Sequence, residues 1–429
     1  MSLAPTWLSG EGWRAPDSGI EGLYSADFAL DIARRAEAAH LDFVFRPDTS
    51  VLPVAPLDQS FGFSSVDPTL LMAALVRETR RIGMVTTIST TFSHPYTAAR
   101  QMMSLHWLSK GRAGWNVVTA LQGHENFGLA EMPSSEARYD RAEEFTQVVA
   151  RLWESFPSRA LLVDRAAGRY ADTDMILPID HRGAAFDVKG PLNVPQYPGP
   201  PIPLMQAGAS ARGIDLAGRM ADMVFGLTPD IGTALDTRRQ LTARATAHRR
   251  DPRAVRLLPG LSLYLGRTRA EARDLFMQTH VRVTRAQRIE RLETATGLDL
   301  ADWPEDRPIT PADLAAPPRA RAQYARLMQL IAADSPTLGE LLNRPETLAA
   351  IHWQVIGTVE DACAEINRWF EAGAIDGFIA VPGGSARSME LTLDELVPRL
   401  AEAGLFRRAY AGETLADHLA DGLDLPLPA

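Results

Sequence analysis

Residues 82–118, IGMVTTISTTFSHPYTAARQMMSLHWLSKGRAGWNVV, decide the fold. Ile82 to Ser89 is rich in β-branched residues and reads as a strand. Pro95 to Leu108 reads as a helix that begins at His94-Pro95. Arg112 to Val118 is again a strand. Strand, helix and strand follow one another through short connections, which is the pattern of parallel strands joined by a covering helix.

The same alternation extends upstream. Ser2 to Leu8 reads as a short first strand. Ala26 to Ala39 reads as a helix with Phe28, Ile32, Ala36 and Ala39 on one face. Leu41 to Phe45 is a buried strand. Asp67-Pro68 opens a helix, with Asp67 as N-cap and Pro68 in the first helical position, that runs to about Thr79. Downstream, Glu136 to Phe156 is an amphipathic helix that turns Phe145, Val148, Val149 and Leu152 inward. A polar, proline-rich stretch follows to Pro203, and within it Gly183 to Lys189 alternates like a half-exposed strand. The alternation then resumes: strand Ile202–Gln206, helix Ser210–Met220, strand Asp222–Phe225, helix Pro229–His248, strand Arg256–Leu265. From Thr268 to His352 the chain is helical, with a proline-rich break from Trp303 to Pro318. That is too long for one crossover, so 268–352 reads as a helical insertion late in the barrel, over one end of it, and as a candidate lid. Asp376 to Val381 makes a last strand and Leu391 to Glu402 a closing helix. The last dozen residues read as a tail.

Repeated β–α units define an α/β protein of one domain, residues 1–429. An open doubly wound sheet competes with a (β/α)8 TIM barrel with insertions. No Gly-x-Gly-x-x-Gly follows the first strand, which favours the barrel.

The chain has 429 residues, a formal net charge of -9, 46% hydrophobic and 23% charged residues. Those proportions suit a soluble enzyme. The acidic balance argues against a nucleic-acid or anionic-membrane partner. The N-terminal stretch lacks a basic region followed by an apolar core, and no run of 18 apolar residues occurs, so a cytoplasmic location is expected. One cysteine, Cys363, cannot form an internal disulfide and reads as a small buried hydrophobe.

Barrel enzymes carry their chemistry at the C-terminal ends of the strands. The polar residues expected there are Asp48, Thr87, Ser89, Thr91, Asn116, Thr119 and Ser210. This ring is almost uncharged, and it suits hydrogen bonding to a planar heterocycle better than metal binding. The nine histidines are scattered, with no His-x-x-x-His or His-x-His pair. No Gly-x-Ser-x-Gly elbow or Walker loop occurs. Arg112 reads as a structural ion-pair residue at a strand start, ahead of a phosphate clamp. His94 and His124 each cap local structure or line the pocket. In Gln206-Ala207-Gly208-Ala209-Ser210-Ala211-Arg212-Gly213, backbone N–H groups and the Ser210 hydroxyl converge at a helix N-terminus. That is either a phosphate site or an ordinary N-cap.

HPYTAARQMMSLHWLSKGRAGWNVVTA, His94 to Ala120, resembles the hallmark segment of the bacterial luciferase-like flavin-dependent monooxygenases. The similarity is to the nitrilotriacetate, dibenzothiophene-sulfone and long-chain alkane monooxygenase branch. Asn126-Phe127-Gly128, Arg138-Tyr139 with Arg141-Ala142-Glu143-Glu144-Phe145, His181-Arg182-Gly183, Gly190-Pro191-Leu192-Asn193 and Gln206 to Ser210 continue the pattern in order. The resemblance implies a monooxygenase that takes reduced FMN from a separate NAD(P)H:flavin reductase and uses O2 to oxygenate a small organic substrate. It also implies a homodimer or homotetramer. It assigns Asp48, Thr87, Asn116, Ser135, Tyr139, Ala209 and Ser210 to cofactor binding. Ser210 would hold the FMN phosphate, and Ser135 stands where the family often has a histidine. Trp13-Arg14-Ala15-Pro16 lacks the histidine that often precedes that proline, so no catalytic residue carries over. A deazaflavin-dependent oxidoreductase of the same superfamily and a catalytically silent flavin-binding barrel are the alternatives.

Overall fold

The computed structural model describes residues 1–208, 210–314, 325–348 and 352–421. The expected alternation is present as β1 (Phe43–Phe45), β2 (Gly83–Ser89), β3 (Ala113–Val118), β8 (Leu204–Gln206), β9 (Met223–Gly226), β10 (Arg256–Leu265), β11 (Trp353–Gly357) and β12 (Ile379–Pro382). These strands pair in parallel in the order β1-β2-β3-β8-β9-β10-β11, with β12 also on β10. Two antiparallel hairpins, β4 (Leu161–Asp164) with β5 (Arg169–Ala171) and β6 (His181–Arg182) with β7 (Asp187–Val188), occupy the proline-rich stretch. The sequence expectation of a strand over Gly183–Lys189 shrinks to β7.

The gap between β1 and β12 is spanned by the N-terminal residues. Ser2 donates its N–H to Ala380 (3.0 Å), and Leu3 and Phe45 exchange bonds with Phe45 and Met1 at 2.7 and 2.9 Å. The first strand expected over Ser2–Leu8 is thus only a bridge at Ser2, and Thr6–Leu8 is a 3-10 turn. Among the described residues no helix is long and apolar enough to cross a membrane.

The helices form because each apolar stripe has a capped start. They include α1 (Ala26–Ala38), α2 (Pro68–Leu75), α3 (Pro95–Leu108), α4 (Ser135–Glu154), α5 (Ala211–Met220) and α6 (Ile231–Ala247). Asp67 accepts the N–H of Leu70 at 2.9 Å, and Ser134 caps α4 through Ala137. Helix α2 ends at Leu75 rather than near Thr79. Buried Arg112 is the reason: its guanidinium donates to the carbonyls of Val76 (2.9 Å), Thr79 (3.2 Å) and Ile82 (2.8 Å), which fixes a non-helical turn into β2. Arg112 is therefore structural, but it serves carbonyls rather than an ion pair.

Beyond β10, α7 (Arg269–Thr279) lies against β10 and β11. Next come α8 (Arg285–Thr296), α9 (Ala325–Asp334), α10 (Leu338–Leu342) and α11 (Pro345–Leu348). Ile289, Leu292, Ile309, Leu327, Ile331 and Leu341 give this region a small core of its own. The end of the Trp303–Pro318 break lies outside the described residues. After β11 come α12 (Val359–Glu371), α13 (Ala386–Glu390), a π turn at Leu391–Leu396, α14 (Val397–Glu402) and α15 (Leu415–Ala420). The expected closing helix over Leu391–Glu402 is present, but its first half is wound as a π turn, where Pro398 has no N–H for the Asp394 carbonyl. The expected tail begins in α15, and its last eight residues lie outside those described. Cys363 on α12 is only half-buried, so the buried-hydrophobe expectation fails there.

Strand residues alternate between two faces. Val44, Met84, Trp115 and Val117 pack outward on the helices. Phe43, Phe45, Val85, Met205, Met223, Leu258 and Ile379 gather inside with Leu415 and Leu419 of α15. A Cβ on Gly83 or Gly114 would stand 2.7 Å from a Leu415 methyl carbon. Both glycines therefore open the N-terminal end of the barrel to a plug from α15, which leaves the C-terminal mouth as the place for chemistry.

Candidate active site

The inner face changes character towards the mouth. Phe43, Val85, Met205, Met223 and Leu258 are buried, while Ser89, Val118, Phe225, Ser262 and Val381, nearer the C-terminal ends, are half-buried. Between these levels lies a polar rung. Thr87 and Asn116 are paired in register on β2 and β3. Thr87 Oγ1 donates to the Arg46 carbonyl at 2.7 Å and accepts from Asn116 Nδ2 at 3.0 Å. Asn116 Oδ1 is buried and has no hydrogen-bond partner among the described residues. An acceptor left this way costs about 1–3 kcal/mol, and it fits an N–H of a planar heterocycle laid on the rung.

A second cluster lies where α4 meets the start of α5. Ser210 Oγ accepts the Gly213 N–H at 3.1 Å and donates to Tyr139 Oη at 3.1 Å. The serine is thus the N-cap of α5 and is engaged by it. The Tyr139 O–H, with its oxygen already accepting, is left to donate outward. A Cβ on either Gly208 or Gly213 would stand 2.8 Å from Tyr139 Oη. The two glycines therefore shape a close cradle in which backbone N–H groups, the helix dipole and a phenol converge, the surroundings an anion selects. Arg212, beside the cradle, is held by Asp140 and by Glu136 at 3.1 Å.

Asp48 stands at the rim, three residues beyond β1. Its carboxyl reaches solvent, yet close packing around it, and then the Asp67 carboxylate, raise its pKa above the ordinary range against the pull of the Thr49 N–H and Arg46. Ser135 opens α4 one turn before Tyr139, and its side chain is exposed. Ala209 lies outside the described residues. The structure therefore brings Thr87 to Asn116 and Tyr139 to Ser210, and sets Asp48 and Ser135 at the margins. His94 caps α3 by accepting the Tyr96 N–H at 3.2 Å, and His124 lies 3.3 Å from Glu125.

The Arg141–Phe145 and His181–Gly183 motifs form a structural lock. The Glu144 carboxylate accepts from His181 Nε2 (2.9 Å), Ala185 N (2.8 Å) and Phe186 N (2.9 Å). Arg141 stacks 4.2 Å over the Phe186 ring and donates to the Thr90 carbonyl at 3.1 Å. The lock holds α4, and with it Tyr139, against the end of β2.

Sequence reasoning missed two residues here. Gln206 ends β8 with a buried carboxamide whose Oε1 has no partner among the described residues. Its place before Gly208 was visible in the sequence, but its burial was not. His352 was absorbed into the helical insertion, although the alternating Trp353–Gly357 that follows it was a legible strand signal.

Residues 7–376 match the family described as luciferase-like monooxygenase. The chain is 35% identical over 428 residues to the dibenzothiophene-sulfone monooxygenase of Rhodococcus erythropolis, covering 96% of this chain and 93% of the relative. It is 34% identical to nitrilotriacetate monooxygenase component A of Aminobacter aminovorans, covering 95% and 92%. A solved riboflavin lyase with modified FMN and riboflavin superposes with a TM-score of 0.78 at 30% identity, covering 96% and 93%. The chain therefore belongs to the luciferase-like monooxygenase family, in the branch of the dibenzothiophene-sulfone and nitrilotriacetate monooxygenases, and is a flavin-dependent monooxygenase.

Proposed function

We propose that the flavin is FMN, that it arrives reduced from a separate NAD(P)H:flavin reductase, and that the chain uses it with O2 to oxygenate a small organic substrate. One observation carries this reading: the Tyr139–Ser210 pair stands at the N-terminus of α5, in a cradle that only glycines at 208 and 213 leave open. A terminal phosphate suits that cradle, and a larger dinucleotide finds no Gly-x-Gly-x-x-Gly unit elsewhere. The "component A" of the nitrilotriacetate relative supports a two-component arrangement.

Reduced FMN, when bound, supplies the electrons for splitting dioxygen. The protein's part is placement. Tyr139, Ser210 and the α5 N–H groups would hold the phosphate, while Thr87 and Asn116 would hold the ring by its polar edge. Asp48, with its raised pKa, would stand at the rim beside the ring. The apolar plug below the rung keeps water from beneath, and the 268–352 region is the candidate lid above. Ser210→Glu would place a carboxylate in the cradle. We expect it to abolish FMN binding in a fluorescence titration, and unchanged affinity would overturn the phosphate assignment.

A further inference from the structure

His352 precedes β11, where Trp353 pairs with Leu261 of β10. One rung earlier, His352 falls beside Gly260, on the inner face of the barrel. A Cβ at Gly260 would stand 2.7 Å from His352 Nδ1 and 2.8 Å from Phe225 Cε2, so the glycine makes room for both rings. The His352 and Phe225 ring centroids lie 5.5 Å apart, and Phe45 meets Phe225 edge-on at 5.8 Å. Phe225 of β9 and His352 stand on the far side of the barrel from Thr87 and Asn116, and Phe45 reaches Phe225 from β1, beside β2. His352 Nδ1 is buried without a hydrogen-bond partner among the described residues. The neighbours named here are aromatic or glycine, with no carboxylate to charge the ring.

We infer that His352 is a substrate-positioning residue: a polar contact beside an aromatic pair, which selects an uncharged, flat molecule carrying a hydrogen-bonding oxygen. The inference rests on the barrel mouth being the substrate site. Burial lowers the pKa of His352 to about 4, so at neutral pH the imidazole offers one donor and one acceptor and no charge. A neutral imidazole can present its N–H to a sulfone, sulfoxide or carbonyl oxygen. It gives no ionic attraction to a carboxylate or sulfonate, which would lose its hydration on settling beside these rings.

The test uses three probes of similar shape, titrated calorimetrically into the full chain without FMN: methyl phenyl sulfone, isopropylbenzene and benzenesulfonate. The wild-type chain is expected to bind the sulfone about tenfold more tightly than either of the others, the order of one buried hydrogen bond. His352→Val keeps strand propensity and should bring the sulfone to within about twofold of isopropylbenzene. His352→Gln, which keeps a donor and an acceptor, should retain part of the preference. Gly260→Ala should erase it by displacing the ring without removing it. A preference kept in both His352→Val and Gly260→Ala would overturn the proposal. So would a wild-type chain that shows no preference or binds benzenesulfonate at least as tightly. FMN affinity, titrated separately, should be unchanged in His352→Val. Failure of the wild type to bind FMN would defeat the cofactor reading alone and leave the probe contrast to be judged by itself.

Discussion

Ser210 Oγ donates a hydrogen bond to the Tyr139 oxygen at 3.1 Å while accepting the Gly213 N–H. This fixes the direction of the network: the tyrosine, not the serine, holds the outward proton. Tyr139→Phe should therefore weaken FMN binding about tenfold or more, as expected for one hydrogen bond to a charged group, with little change in melting temperature. Ser210→Ala should do less to affinity but lower stability by about 1 kcal/mol through loss of the α5 cap. Fluorescence titration and thermal melts on both variants separate the two roles.

Asn116 predicts opposite effects on stability and binding. Its Oδ1 is a buried acceptor with no partner among the described residues, and Thr87 can still donate to Arg46 without it. Asn116→Leu is expected to leave stability unchanged or raise it by up to about 1 kcal/mol, while FMN affinity falls at least tenfold. A variant that loses stability in proportion to binding would show Asn116 to be a purely structural residue.

Glu144 sets an acid limit. Burial works against its charge, but the bonds from His181, Ala185 and Phe186 outweigh that and hold its pKa below the usual value. A carboxylate depressed on folding stabilises the fold above its unfolded pKa, and that stabilisation is lost as pH falls through its folded value. Urea denaturation of the wild type should thus show stability falling below about pH 4.5. Glu144→Gln should be less stable at pH 7 and should show a shallower fall in that acid window.

The plug makes a prediction about coupling. Gly83→Ala would press a methyl against Leu415, which now lies 2.7 Å from where the new Cβ would stand. Overpacking of this kind costs about 1–3 kcal/mol. Leu415→Ala leaves a cavity and costs about 2–5 kcal/mol. The double variant should be more stable than the sum of the two losses implies, because each change relieves the other. Strict additivity in chemical denaturation would mean that α15 does not enter the barrel.

Most of the scaffold was legible where periodicity and capping agreed. Pro95–Leu108 and Arg256–Leu265 appear with the expected bounds, and Phe145, Val148, Val149 and Leu152 all face in. Boundaries moved where a distant side chain intervened, as when Arg112 ended α2. The helical reading of 268–352, with its proline-rich break, ended just short of β11 and gave no hint of the small core around Leu292 and Ile331. At the site, residue types picked out the polar residues Thr87 and Asn116 and the small-residue turn before α5. They could not show which hydroxyl donates to which, or that His352 reaches inside, because those depend on strand register and on the missing side chain at Gly260.

The central claim is most directly tested by oxygen labelling. The chain, FMN and a separate flavin reductase with NADH are supplied with 18O2 and a panel of small organic sulfones, thioethers and amines. Catalase controls remove any effect of free peroxide. The prediction is one 18O atom incorporated into a product, dependent on the chain and lost in Ser210→Glu. Absence of labelled product and of chain-dependent oxygen consumption, together with turnover of a reduced deazaflavin, would contradict it.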